Sequence, residues 1–351
     1  MPTPAQRTSG HRAPLARMGL AVLALHVAGW GLLAAIALPA LRSGGGSAAL
    51  VAGLGAGAYA LGIRHAFDAD HIAAIDNATR RLVASGRAPV SAGFWFALGH
   101  STVVVGVVAL VLAGVGAFSD GLSDEGSPLR QGASLWGAAV SGGFLLLAGA
   151  LNIPALRGLG ALLRRARRGA VDAAELERQL DSRGVVFRVL GPLARLVDAP
   201  WKMYPTGLLF GLGLDTAASV GLLAAGSLGP GVPPAAALAL PLLFTAGMTL
   251  FDSADGIAMS RIYRWAAGDA VRKAAYNLAV TAVSVAVAFV VGAAGIASVA
   301  AQLLEVHSGP LAVLAGLDTG LVGVGLVAVF AAFGLYALTL RAPRAASQPC
   351  R

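Results

Sequence analysis

Cysteine is almost missing from this sequence: Cys350, next to the C-terminus, is the single one. No internal disulfide can form and no thiolate can serve a metal site in the body of the chain, so any metal there must take nitrogen and oxygen ligands. Charge is scarce as well. Only 12% of the 351 residues are charged, against about 25% in an ordinary soluble domain, while 57% are hydrophobic. Too few polar side chains remain to cover a water-facing surface, which makes a bilayer the natural solvent. Aromatic residues make up 6%, whereas there are 47 glycines. That balance suits helices packed closely through small residues, because lipid supplies no hydrophobic drive between them. No Gly-x4-Gly-Lys-Ser/Thr phosphate loop and no His-Glu-x-x-His zinc motif occur, so neither an ATPase subunit nor a zinc protease is evident in the chain.

Uncharged stretches of at least about 18 residues mark candidate spans, and eight are found, near 18–41, 48–77, 90–117, 132–155, 205–227, 234–259, 274–302 and 311–340. Runs such as Val103-Val104-Val105-Gly106-Val107-Val108 do not alternate as membrane strands would. The expectation is therefore an all-α polytopic membrane protein with eight transmembrane helices. The first apolar run follows Arg7, Arg12 and Arg17, as in a secretory signal, but it exceeds the roughly 7–15 residues of a signal core and reads as a retained span.

Lys and Arg number 26 against 17 Asp and Glu, for a net charge of +9. Their placement explains the excess. Arg42 and Arg130 alone fall in the loops of one side, Arg64 lies inside span two, and all the others fall on the opposite side. The positive-inside rule makes that side cytoplasmic. Both termini are then expected in the cytoplasm, with residues 1–17 and 341–351 as tails and 18–340 as the membrane domain. A basic cytoplasmic loop is expected at about 157–204. Topology thus accounts for the basic pI without nucleic acid. Within the loop, Val171 to Leu180 could form a short amphipathic helix on the anionic inner leaflet or a solvated connector.

Against this background, Arg64-His65-Ala66-Phe67-Asp68-Ala69-Asp70-His71-Ile72-Ala73-Ala74-Ile75-Asp76-Asn77 is out of place in span two. A charge at a helix centre costs at least about 2.5–3.5 kcal/mol on insertion scales, so these groups should face protein or water and have partners. On a regular helix His65, Asp68 and His71 share one stripe, two imidazoles with a carboxylate between them, while Asp70 and Asn77 point elsewhere and Asp76 lies near the His65 side. Imidazole suits nickel, cobalt, zinc and copper, whereas magnesium prefers oxygen alone. The histidines argue for a divalent transition metal, with Arg64 in a structural ion pair. A proton relay is the competing reading of the same residues.

The string Arg64 to Ile72 resembles the signature of the nickel/cobalt transporter family of bacterial secondary permeases, its His-x4-Asp-His pattern falling on His65, Asp70 and His71. Three further motifs are similar to that family: Leu98-Gly99-His100-Ser101-Thr102, Leu212-Gly213-Leu214-Asp215-Thr216-Ala217, and Gly247-Met248-Thr249-Leu250-Phe251-Asp252-Ser253-Ala254-Asp255-Gly256. The span-five motif departs from the pattern, with Ala218-Ser219 where Thr-Glu is expected, and Ser253 replaces a threonine. The resemblance implies secondary transport of Ni2+ or Co2+ as substrate across the bacterial cytoplasmic membrane, with no prosthetic group and no enzymatic activity. The expected metal set is His65, Asp68, Asp70, His71 and His100, and the supporting polar path is Arg64, Asp76, Asn77, Asp215, Thr216, Asp252 and Asp255. His26 and Asp318 lack a supporting cluster and are read as structural or interfacial.

Uptake along an inside-negative potential fits a permease without ATPase, since a divalent ion gains about 4.6 kcal/mol per 100 mV. Efflux is the alternative within transport, although the Arg157–Lys202 loop contains no histidine to favour it. An intramembrane aspartyl protease, using Asp215 and Asp252, is the remote alternative from another class. The fragment Gly213-Leu214-Asp215-Thr216 also recurs as Gly316-Leu317-Asp318-Thr319, a hint of internal duplication.

Overall fold

Backbone amides buried in an apolar layer must find partners within the chain, and a helix supplies them locally. The computed structural model describes residues 4–42, 47–114, 120–122, 124, 126–168, 198–226, 237–264 and 270–339. It is all-helical, with no strand among the described residues. The helices are α1 (Pro4–Arg42), α2 (Ser47–Ala66), α3 (Ala69–Ala84), α4 (Ala92–Leu112), α5 (Pro128–Arg167) and α6 (Met203–Gly211). They continue with α7 (Asp215–Gly226), α8 (Ala239–Arg264), α9 (Ala270–Leu303), α10 (Pro310–Ala315) and α11 (Thr319–Thr339). Segments of α1, α4, α5, α9 and α11 are long and apolar enough to cross a membrane.

Three of the expected continuous spans are broken. Span two stops at Ala66 and restarts at Ala69, with Phe67 N bonded to Arg64 O and Asp68 N to His65 O, both at 3.0 Å, closing the first half by a tighter turn. Asp68 is the N-cap of α3, in an extended conformation with ψ 137°. Span five breaks between α6 and α7 at Leu214, whose φ of 62° puts a branched side chain in the left-handed region, a strain of about 1–3 kcal/mol that the surrounding structure must hold. Span eight breaks between α10 and α11, where Asp318 Oδ1 accepts a hydrogen bond from Leu321 N at 3.0 Å. Each break therefore carries an aspartate at the start of the following helix, where backbone N–H groups lack intrahelical partners and negative charge is favoured.

Two expected boundaries also move. α1 already begins at Pro4, inside the expected N-terminal tail. α5 continues past Arg157 to Arg167 because Leu159 and Leu163 on its last turns pack against Ala274 of α9. Residues 169–197 of the expected basic loop, with Val171 to Leu180, and the C-terminal tail lie outside the described residues, while the end of the loop forms a single turn, Pro200–Lys202, that leads into α6.

α3 is the centre of the molecule, with α4, α5, α8, α9 and α11 packed around it. Ile72, Ala73, Ala74 and Ile75 are buried on it, and so are His71, Asp76, Asn77, Thr79 and Arg80. The alanines let neighbours approach closely while the polar residues meet protein instead of lipid. α4 and α6 interlock through small residues: a Cβ on Gly99 would overlap the Tyr204 carbonyl, and one on Gly207 the Phe96 carbonyl. Gly207→Val is expected to cost about 1–3 kcal/mol through overpacking, seen as a lower thermal midpoint of the purified protein. Gly106→Val, where nothing lies within 4 Å of the added Cβ, should leave that midpoint in place.

Candidate metal centre

The break between α2 and α3 lets two histidines six residues apart face one point. His65 ends α2 and His71 lies in the first turns of α3. His100 comes from the middle of α4. One nitrogen from each of the three imidazoles lies within 4.8 Å of the others. The Nε2 atoms of His65 and His100 are 3.1 Å apart, close to the roughly 3.0 Å separating two nitrogens that bind one ion at right angles with bonds of about 2.1 Å. His71 and His100 are 1% and 4% exposed, so their lone pairs are kept from bulk water. Phe96 and Phe210 stand edge-on to the His71 ring at 4.8 and 6.4 Å between centroids, walling its far side.

Carboxylates surround the triad. Asp68 Oδ2 lies 2.8 Å from His65 Nδ1, which holds the proton on Nδ1 and turns the Nε2 lone pair toward His100, as in carboxylate–histidine–metal arrangements. Asp70 does not face away, as a regular helix would require. The break carries it to the wall of the same cavity as His65 and His71, and its Oδ1 accepts a hydrogen bond from His71 N at 3.0 Å. Asp252 of α8 is 1% exposed, with Oδ2 3.8 Å from His71 Nδ1. It is seated there because a Cβ on Gly93 would overlap its carbonyl oxygen, so that α4 and α8 touch backbone to backbone.

A cavity of about 430 Å³ reaches the triad. All three helix breaks contribute to its wall, through residues 64–71, 211–219 and 315–319. Gly323 of α11 packs directly on the carbonyl of Phe67, where any Cβ would overlap it, so the third break is pressed against the first. Thr216 Oγ1 lies 3.3 Å from His65 Nε2. Asp215 and Ser219 also line the cavity, and Ser219 Oγ donates to Asp215 O at 3.0 Å. Arg64 stands exposed at the same wall and makes no ion pair among the described residues.

The remaining members of the expected path lie deeper along α3 and α8. Asp76 Oδ1 accepts a hydrogen bond from Tyr263 Oη, and Asn77 Nδ2 donates to Ala73 O at 2.7 Å. Asp255 follows Asp252 by one turn of α8. His26 links α1 to α2 through Tyr59 Oη at 3.2 Å, the structural role expected of it, and Asp318 caps α11.

Several residues at the cavity were not found from sequence. Ser134 and Ser141 of α5 and Ser298 of α9 add hydroxyls to its wall. The spacing of the two α5 serines, two turns apart on one face, was a usable signal. Nothing local marks Phe96 and Phe210, which act through tertiary packing alone.

The profile of the NicO family, described as high-affinity nickel-transport protein, matches residues 51–340. The nickel transporter NicT of Mycobacterium tuberculosis is 45% identical over 320 residues, covering 90% of this chain and 86% of its own. The nickel transporter NixA of Staphylococcus aureus is 40% identical over 280 residues, 79% of this chain and 82% of its own. The cobalt transport protein NhlF of Rhodococcus rhodochrous is 41% identical over 300 residues, 84% of this chain and 83% of its own. No solved structure matches the chain.

The contact between Asp68 and His65 generates a specific expectation. Asp68→Asn removes the charge that holds the Nδ1 proton, and Co2+ binding by the purified protein should weaken about 10–100-fold without loss of the folded state. Equilibrium dialysis measures the first and thermal unfolding the second.

Proposed function

This chain belongs to the NicO family of high-affinity nickel-transport proteins, and on that premise we propose that it takes up Ni2+ or Co2+ across the cytoplasmic membrane through the triad of His65, His71 and His100. The observation that carries this reading is the convergence of three imidazoles from three helices at the end of a cavity walled by three broken helices. Three neutral imidazoles suit a borderline divalent transition metal. Asp68, Asp70 and Asp252 stand close enough to offset its charge, so the ion need not be stabilised by nitrogen ligands alone.

With each broken pair taken as one crossing, the chain crosses the membrane eight times and both ends lie in the cytoplasm. The positive-inside distribution supports this topology. It puts the outer ends of α5, α9 and α11, which form the rim of the cavity, on the extracytoplasmic side. Arg80, Arg81 and Arg87, at the far end of α3 and just beyond it, are then cytoplasmic. A hydrated ion enters from outside, exchanges water for imidazole, and leaves inward when the packing around α3 changes. Discontinuous helices at the membrane midplane are a recurring way to build such a site without leaving backbone groups unpaired in lipid. An inside-negative potential supplies about 4.6 kcal/mol per 100 mV for a divalent ion.

Cells expressing the protein should accumulate radioactive nickel or cobalt above an empty-vector control, and His71→Ala and His100→Ala at matched membrane levels should lower the gain at least about tenfold. Accumulation below the control would make the protein an exporter. Unchanged accumulation in both variants would remove the triad from the pathway.

A further inference from the structure

Inward of the triad, α3 and α8 carry a second set of buried polar groups that the histidines do not use. Asp76 is 1% exposed; Tyr263 Oη, itself 2.9 Å from Ser284 Oγ, donates to its Oδ1, while Oδ2 has no hydrogen-bond partner. Thr79, one turn further along the same face of α3, is fully buried and its Oγ1 has none either. On α8, Asp255 Oδ2 is buried without a partner, and its carboxylate lies within electrostatic reach of both Asp76 and Asp252. Arg80, 7% exposed, reaches Asp76 electrostatically but makes no ion pair with it. Its Nη2 is held instead by Asn77 Oδ1 at 3.0 Å, an oxygen shared with Asn152 Nδ2 at 2.8 Å. Arg80 Nε and Nη1 have no partner.

Two carboxylate oxygens and a hydroxyl are thus buried and unbonded, and the guanidinium that reaches Asp76 is tethered elsewhere. Such groups are tolerated as buried ions only where a counter-charge completes them. A fixed ion pair would have brought Arg80 onto Asp76, as the side chain is long enough to do. The tether to Asn77 and Asn152 keeps the oxygens available to a cation that comes and goes. Asp252 supplies the step between the two places. Its Oδ2 lies 3.8 Å from His71 Nδ1 and has no hydrogen bond, and Asp255, three residues on, is about 4.5 Å further inward.

We infer that Asp76, Asp255 and Thr79 form an inner oxygen site that the divalent ion occupies after leaving the histidines, with Arg80 as the tethered counter-charge that balances the site when no ion is there. The order of donors suits release. Nickel and cobalt prefer imidazole to carboxylate, so an ion passing from nitrogen to oxygen moves from a tighter to a looser site, as conduction through successive sites requires. The direction of passage rests on the transport reading, whereas the site itself is a property of the purified protein.

The test uses the full-length protein in detergent, titrated with 57Co2+ by equilibrium dialysis, and the same protein reconstituted into vesicles. Wild type should bind one tight ion per chain. Arg80→Gln, which leaves the acids without their cation, should bind two, and Arg80→Lys should return to one. Asp76→Asn and Asp255→Asn should each bind one ion at the histidines yet carry 57Co2+ into vesicles at least about tenfold more slowly. A single ion bound by Arg80→Gln, or transport at the wild-type rate in both aspartate variants, overturns the inner site. If wild type moves no cobalt into vesicles while Arg80→Gln binds a second ion, the transport reading fails and the inner site stands.

Discussion

A helix that stops inside an apolar layer leaves up to four amide hydrogens and four carbonyls without partners, and lipid cannot supply them. The chain accepts this constraint at three places and answers it each time with an aspartate. Asp68 and Asp70 stand at the start of α3, Asp215 opens α7, and Asp318 caps α11. Asp68, Asp70 and Asp215 are also acids at the cavity. Capping and proposed metal handling therefore draw on the same carboxylates. Asp70 shows it most directly, accepting from the His71 amide while facing the cavity that His71 serves.

From the breaks follows the position of α3. It is short, and its first residues carry too much charge for a lipid-facing helix, so it is enclosed by five others. Enclosure gives its polar side chains specific partners in place of water: Asp252 for His71, Tyr263 for Asp76, Asn152 for Asn77. Glycines at the contacts set the distances. Gly93 brings α8 close enough to α4 to seat Asp252 beside His71, and Gly323 brings α11 onto Phe67. With branched side chains at those positions the helices would stand further apart and the carboxylates would lose the imidazoles.

Helical content and the polar residues of the candidate site were legible in the sequence because both depend on local chemistry. Long apolar runs admit no other element, and charge inside such runs stands out whatever the tertiary arrangement. The cluster from Arg64 to Asn77 was found on that ground, whereas His100, Asp215 and Asp252 came from the motifs that resemble the nickel/cobalt transporter family. Its geometry was less legible. Treating span two as one regular helix set Asp70 opposite His65, and the break at Phe67 and Asp68 removes that conflict. The signal was present in Asp68 as a cap with a second acid in the next turn. The same signal stands in the repeated Gly-Leu-Asp-Thr, whose two copies both fall at breaks. Hydropathy hid it, since the average over a window does not register one residue of irregular backbone.

The sequence by itself determined the solvent, the element type and the chemistry: an apolar, cysteine-poor chain with imidazole and carboxylate inside its helices offers nitrogen and oxygen, and no thiolate, to a metal. It did not determine which of those groups meet. His65 and His100 are 35 residues apart in sequence, and their 3.1 Å approach is set by how α2 and α4 pack around the broken helix. Arg80 bonded to Asn77 and not to Asp76 is a choice of the same kind, made by Asn152 arriving from α5. Side-chain type is a local property of the chain, whereas contact is a property of distances between helices, and those distances are fixed by the packing of residues remote from one another in sequence.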